Sequence, residues 1–141
     1  MTTEDVRAFL AKRQLAFSNL DVVALADLYA ENAVYESPAA GGTVTGRQAI
    51  EKIHRGWFAA FPDFRLEDER FVVEGGDVAH IARAVGTNVG GFMGLPATGK
   101  KFHFNVAFVF TIEDGQITRE RRIYDFTGML VEIGVLKAKP L

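Results

Sequence analysis

Between Phe102 and Ile112 every second residue is large and apolar: Phe102, Phe104, Val106, Phe108, Phe110 and Ile112. Side chains alternate across a strand, so a run of this length commits the chain to a sheet with one continuous oily face that another layer must cover. Asp114-Gly115 follows directly, and Asp-Gly between alternating segments signals a two-residue hairpin. Phe64–Val73, Val78–Thr87 and Ile117–Phe126 also read as strands, the first two joined at Gly75-Gly76. The stretch from Gly90 to Gly99, punctuated by Pro96, predicts a loop that is mobile and carries access to a pocket mouth.

The covering layer lies upstream. Glu4 and Asp5 open a helix whose Val6, Phe9, Leu10 and Phe17 share one face, ending near Asn19. Asp21 can cap a shorter helix carrying Leu25, Leu28 and Tyr29, followed by a short extended piece at Ala33–Ser37 and a loop at Pro38–Gly42. Thr45 and Gln48 form a capping-box pattern before a third helix with Ile50, Ile53, His54, Trp57, Phe58 and Phe61 on one face, stopped by Pro62. Thr127 offers a cap for a terminal helix with Met129, Leu130 and Ile133. Helices followed by a mainly antiparallel sheet predict an α+β layer fold.

Composition narrows the function. A chain of 141 residues predicts a single domain over residues 1–141, with no separate cofactor-binding module. Sixteen Lys+Arg against eighteen Asp+Glu leave a net charge of −2, too little positive field for nucleic acid or an anionic membrane. Cysteine is absent, which removes thiol catalysis and thiolate metal sites. No apolar run approaches the roughly 20 residues of a membrane span. The opening MTTEDVRAFL lacks an apolar signal core, so the expected location is the cytoplasm. Twelve Phe against three Tyr and one Trp predict an oily core or pocket.

If Asp114-Gly115 is the turn, Ile112 pairs with Ile117, Phe110 with Arg119, Phe108 with Arg121 and Phe104 with Asp125. This register aims Asp125 and Arg121 into the oily face and places Lys101, His103, Asn105 and Tyr124 outside. A one-residue bulge would invert every assignment beyond it.

The FPDF at Phe61–Phe64, the GTN at Gly86–Asn88, the loop Gly94–Lys100, the Asp114-Gly115 turn and the ending Tyr124-Asp125 through Gly134 together resemble the SnoaL-like polyketide cyclases of the nuclear transport factor-like superfamily. The resemblance covers nearly the whole chain. It implies a cone-shaped α+β barrel around a deep apolar pocket, a homodimer, and no metal or cofactor. It also implies that Asp125 is the general acid/base of an intramolecular aldol condensation. Many relatives carry His where Asn88 stands and near Ser37, and Gln where Glu132 stands.

Each candidate has a structural alternative. Asp125, as catalytic base, wants a pKa raised by apolar neighbours such as Phe104; otherwise it is a helix cap or half of an ion pair with Arg121. Arg121 can hold an oxyanion or neutralise a carboxylate. His80 sits among small residues that leave room for a ligand, or is a hydrogen-bonded structural histidine. Tyr35, His54, Trp57, Asn88, Phe104 and Phe108 are the candidate substrate contacts; the alternatives are a half-buried Tyr35 with its hydroxyl in water, a hydrogen-bonded core His54 and a packing role for Trp57. His54, His80 and His103 lack the spacing of a metal site. Gly94–Lys100 fits the start of a phosphate-binding loop, but Lys101 replaces the Ser or Thr and a strand follows.

The expected function is therefore a cofactor-independent cyclase or isomerase acting on an apolar carbonyl compound. The alternative is a non-catalytic dimeric module that binds an apolar small molecule. Epoxide hydrolysis ranks below both, because Arg83 is followed two residues on by Val85 rather than Asp. A homodimer is expected through the outer sheet face, with Tyr124, Asn105 and Val109 on it.

Overall fold

The chain is described from a computed structural model over residues 1–137. Helix α1 (Thr3–Ser18) starts at Thr2, whose hydroxyl accepts from the Asp5 amide while the Asp5 carboxylate accepts from the Thr2 amide. Helix α2 (Val22–Ala26) is capped by Asp21 through the Ala24 amide. Then come β1 (Tyr29–Ser37), a 3-10 turn at Pro38–Ala40, β2 (Gly42–Thr45) and α3 (Arg47–Ala60). Strands β3 (Arg65–Glu74), β4 (Asp77–Thr87), β5 (Lys101–Glu113) and β6 (Gln116–Tyr124) follow, and α4 (Phe126–Glu132) ends the described fold.

The sheet order is β2-β1-β6-β5-β4-β3, with β1 parallel to β6 and every other pair antiparallel. The sheet is curved and unclosed, and the expected α+β architecture is the one observed. Its concave face carries the alternating β5 side chains, which pack against Phe9, Phe17, Ile50, Phe58 and Phe61 from the helices and the turn after α3.

Several local expectations are corrected. Tyr29 opens β1 rather than ending α2, and the segment at Pro38–Gly42 leads into a strand. The capping box at Thr45 and Gln48 does not form: α3 starts after Gly46, whose φ of 106° suits glycine, and no side chain caps it. The terminal helix is capped by Asp125, through the Gly128 amide at 2.9 Å, and not by Thr127.

The largest correction is one of register. Ile112 pairs with Ile117 as expected, but Thr111 pairs with Arg119, so Thr118 is an extra residue on β6. Beyond it Phe110 faces Glu120, Phe108 faces Arg122 and Val106 faces Tyr124. The face assignment of β6 is inverted: Glu120, Arg122 and Tyr124 turn inward, while Arg121, Ile123 and Asp125 turn outward. Tyr124 therefore leaves the outer face expected to form the dimer.

Candidate active site

The inward side chains of β6, the far end of β1 and one face of α3 surround a cavity. Trp57, Phe64, Phe104 and Phe108 form its apolar walls, and Tyr35, Ser37, His54, Arg122 and Tyr124 supply its polar atoms. The cavity is narrow: about 30 Å³ is open to the centre of a water-sized molecule. That is room for about one or two waters.

Its polar end is built from buried groups in a fixed order. Glu120 is 1% exposed; it accepts from the Tyr29 hydroxyl at 2.6 Å and from Nε of Arg122. Burial would raise the Glu120 carboxyl, but Arg122, Arg13 and the Tyr29 hydroxyl outweigh it and hold the pKa below the ordinary value. Burial likewise works against the Arg122 charge, and Glu120 above all overcomes it, so the guanidinium stays ionised. Arg122 Nη2 donates to His54 Nε2 at 2.7 Å, and its carbon lies over the rings of Tyr35 and Phe108 at 5.0 and 4.8 Å. His54 Nδ1–H donates to the Ile50 carbonyl at 3.0 Å, which leaves Nε2 as an acceptor. Burial and the neighbouring Arg122 hold His54 neutral, well below the usual imidazole range. Burial pushes the Tyr35 hydroxyl up to about 12 and raises that of Tyr124, so both are proton donors at neutral pH.

A second buried cation lies behind this group. Arg13, fully buried, is surrounded by the rings of Phe17, Phe108 and Phe110 and donates from Nη1 to His80 Nδ1 at 2.8 Å. His80 stacks between Phe71 and Phe108 and donates from Nε2 to Glu69 at 3.0 Å. Burial, with Arg13 beside it, lowers its pKa to about 3. His80 thus links Arg13 to the sheet edge and is not among the cavity-lining residues.

Of the residues singled out from sequence, Tyr35, His54, Trp57, Phe104 and Phe108 come together around the cavity. Asp125 and Arg121 do not: Asp125 is an exposed helix cap, and Arg121 pairs with Glu36 at 2.7 Å on the outer surface. They share no contact, so the expected Asp125–Arg121 alternative is also absent among the described residues. Asn88 is buried, but its amide donates to Thr98 and its backbone pairs with Lys100 and Gly99, tying down the loop. That loop is further anchored by Phe92, buried against Trp57 and Phe61. His103 lies exposed on the outer face beside Glu132, and Arg83 is exposed as well. Sequence reasoning missed Glu120, Arg122 and Tyr124 in the site, because the shift at Thr118 inverts the β6 residues beyond it while the charged run Arg119–Arg122 gives no apolar pattern to reveal it, and it missed Tyr29 by placing that residue on α2.

A curved, unclosed sheet folded with helices around one apolar, polar-tipped cavity is the nuclear transport factor-like architecture. Within that class, the profile of the SnoaL-like polyketide cyclases matches residues 6–133, and the chain belongs to this family. Among solved structures, IdmH of Streptomyces antibioticus, assigned as a polyketide cyclase, is similar at 28% identity and a TM-score of 0.75, covering 92% of this chain and 98% of that one. AclR of Streptomyces galilaeus, assigned as a hydroxylase, shares the fold at 22% identity and a TM-score of 0.82, over 99% and 87% of the two chains. A ketosteroid isomerase-like protein from Catenulispora acidiphila, solved with trimethylamine, aligns at 21% identity and a TM-score of 0.75, over 95% of each chain. No curated protein sequence matches the chain significantly.

Proposed function

We propose that this protein is a cofactor-independent cyclase or isomerase, working in the cytoplasm, that moves a proton α to a carbonyl of an apolar compound. The observation that carries the reading is Arg122. Its guanidinium lines an oily cavity, is fixed by Glu120 and His54, and keeps Nη1 without a protein partner among the described residues. A carbonyl oxygen that gains charge as its α-proton leaves is stabilised by such a preorganised cation, more so where water is scarce. The Tyr35 and Tyr124 hydroxyls are further donors to the same oxygen. The acceptor beside that oxygen is His54 Nε2, which takes the proton as its hydrogen bond from Arg122 Nη2 opens while Glu120 still holds Arg122 Nε in place.

An imidazole held well below its usual pKa is a weak base, so the site suits carbon acids that are already activated, such as 1,3-dicarbonyls. Asp125, exposed as the cap of α4, has no part in this scheme.

Deuterium exchange at the α-carbon of simple 1,3-diketones, followed by proton NMR in D2O, tests this without the natural substrate. The protein accelerates exchange over buffer, and Arg122→Met abolishes the acceleration. Binding of these diketones with no acceleration refutes the catalytic reading. That outcome supports the second reading, a non-catalytic binding module, which is favoured by one observation: among the described residues no carboxylate lines the cavity.

We also propose a homodimer through the outer sheet face, where Ile81, Ala107 and Ile123 stand in register across β4, β5 and β6 and Val109 lies beside them. Three of these are large and apolar yet substantially exposed, Ile123 at 54%. Sedimentation at micromolar concentration gives a dimer, and Ile123→Glu a monomer; a monomeric parent protein refutes it.

A further inference from the structure

The inner cavity is too small for the compound that its chemistry calls for. About 30 Å³ admits the oxygen-bearing head of a ligand and little else, so the remainder has to leave the cavity in some direction. Two depressions adjoin it. One shares Ser37, Arg122 and Tyr124 with the cavity and opens between the end of β1 and β6, where Pro38 and Ile123 line it together with the Glu36–Arg121 ion pair. The other shares Ala39, Ile53 and Trp57 and runs outward between α3, β2 and the Gly91–Met93 segment. Val44, Ala49, Ile53, Trp57, Phe92 and Met93 make most of its walls, Lys52 is the one charged residue lining it, and it is an open groove of about 420 Å³.

An apolar tail gains nothing by lying on a hydrated ion pair, whereas each methylene taken from water onto apolar walls is favourable. We propose that the α3 groove is a second ligand subsite, which takes a flexible apolar chain whose enolisable carbonyl head sits at Arg122. The ligand class is thus a β-oxoacyl compound with an alkyl tail, threaded past Trp57. The proposal rests on the carbonyl-binding reading of the inner cavity.

Trp57 is the sole tryptophan of the chain and stands at the junction of cavity and groove, so its fluorescence reports occupancy directly. The test titrates the methyl esters of acetoacetate, 3-oxohexanoate, 3-oxooctanoate and 3-oxodecanoate. Affinity rises roughly threefold to fourfold per added methylene until the groove is filled. Ala49→Asp and Met93→Asp flatten that rise and leave the acetoacetate ester within about twofold of its original affinity. Both variants suit the fold: Ala49 is the third residue of α3, where an acidic side chain complements the helix N-terminus, and Met93 has a φ of 53°, a conformation Asp tolerates.

No dependence on chain length, or an equal loss for every ester in both variants, overturns the subsite. Length-dependent binding without α-proton exchange leaves the subsite standing and refutes the catalytic reading. Exchange without length dependence does the reverse.

Discussion

Replacing Glu120 with Gln changes one oxygen to an amide nitrogen and nothing in volume, yet it removes the charge that two buried guanidiniums share. The remaining side-chain oxygen of Glu120→Gln still accepts from Tyr29, but the new amide hydrogens then face Nε–H of Arg122, donor against donor. Arg122 keeps His54 as a neutral acceptor, and Arg13, which already has Nε and Nη2 unpaired, loses the main charge that offsets its burial. Removing one partner of a buried ion pair costs about 3–5 kcal/mol. For a chain of 141 residues, an unfolding entropy of about 2.1 cal/mol/K per residue converts that into a Tm lower by roughly 10–17 °C. Differential scanning calorimetry at pH 7 measures it. The pH dependence adds a second check. The folded carboxyl lies below its ordinary value of 4.5, so its contribution is complete above that pH and is lost as pH falls through the lower, folded value. The gap between Glu120→Gln and the parent protein must therefore narrow in acid. A variant that melts within about 3 °C of the parent at neutral pH, or a gap unchanged at low pH, refutes the account of this network.

Asp125→Asn leaves both Tm and α-proton exchange unchanged, since Asn caps a helix as well as Asp, whereas Asp125→Ala loses about 1 kcal/mol; a large loss of exchange in the Asn variant would return Asp125 to the chemistry. His54 and His80 are both held below the ordinary imidazole value in the folded chain, so between their folded values and about 6.5 unfolding takes up protons and stability falls as pH is lowered. Calorimetry at pH 5.5 in buffers of different ionisation enthalpy then registers an uptake approaching two protons, and none would contradict the buried, neutral histidines.

How much of this was legible in the sequence depends on which signal carried each part. The β5 alternation survives intact because a single buried face fixes it residue by residue, and the two Gly-containing turns fix their hairpins. The starts of α1 and α2 follow from Glu4, Asp5 and Asp21 acting locally, whereas the end of α2 does not, since Leu28 and Tyr29 continue its apolar stripe. By contrast β1 and β2 pair with a strand at the other end of the chain and with each other around a 3-10 turn, and no local pattern encodes that parallel seam. The cavity walls on α3 and β5 were readable as apolar faces. The polar end was not, because β6 mixes charged and apolar residues on both faces, so the displacement at Thr118 is invisible without the partner strand.

Arg13 also bears on the order in which the chain can assemble. The helix that carries it is made first, yet the groups that accept its guanidinium, His80, Phe108 and Phe110, come from β4 and β5. The β1–β2 hairpin is in the same position, since its only other neighbour in the sheet is β6. The β1–β2 hairpin therefore has no place in the sheet until the residues of β6 exist, and Arg13 has none until Phe110 does, while the β3–β6 meander can form from neighbouring segments alone. Contacts of such long sequence separation are slow to close. Docking of α1 is a late step by this topology, so interactions of Arg13 govern the rate at which the protein comes apart more than the rate at which it forms.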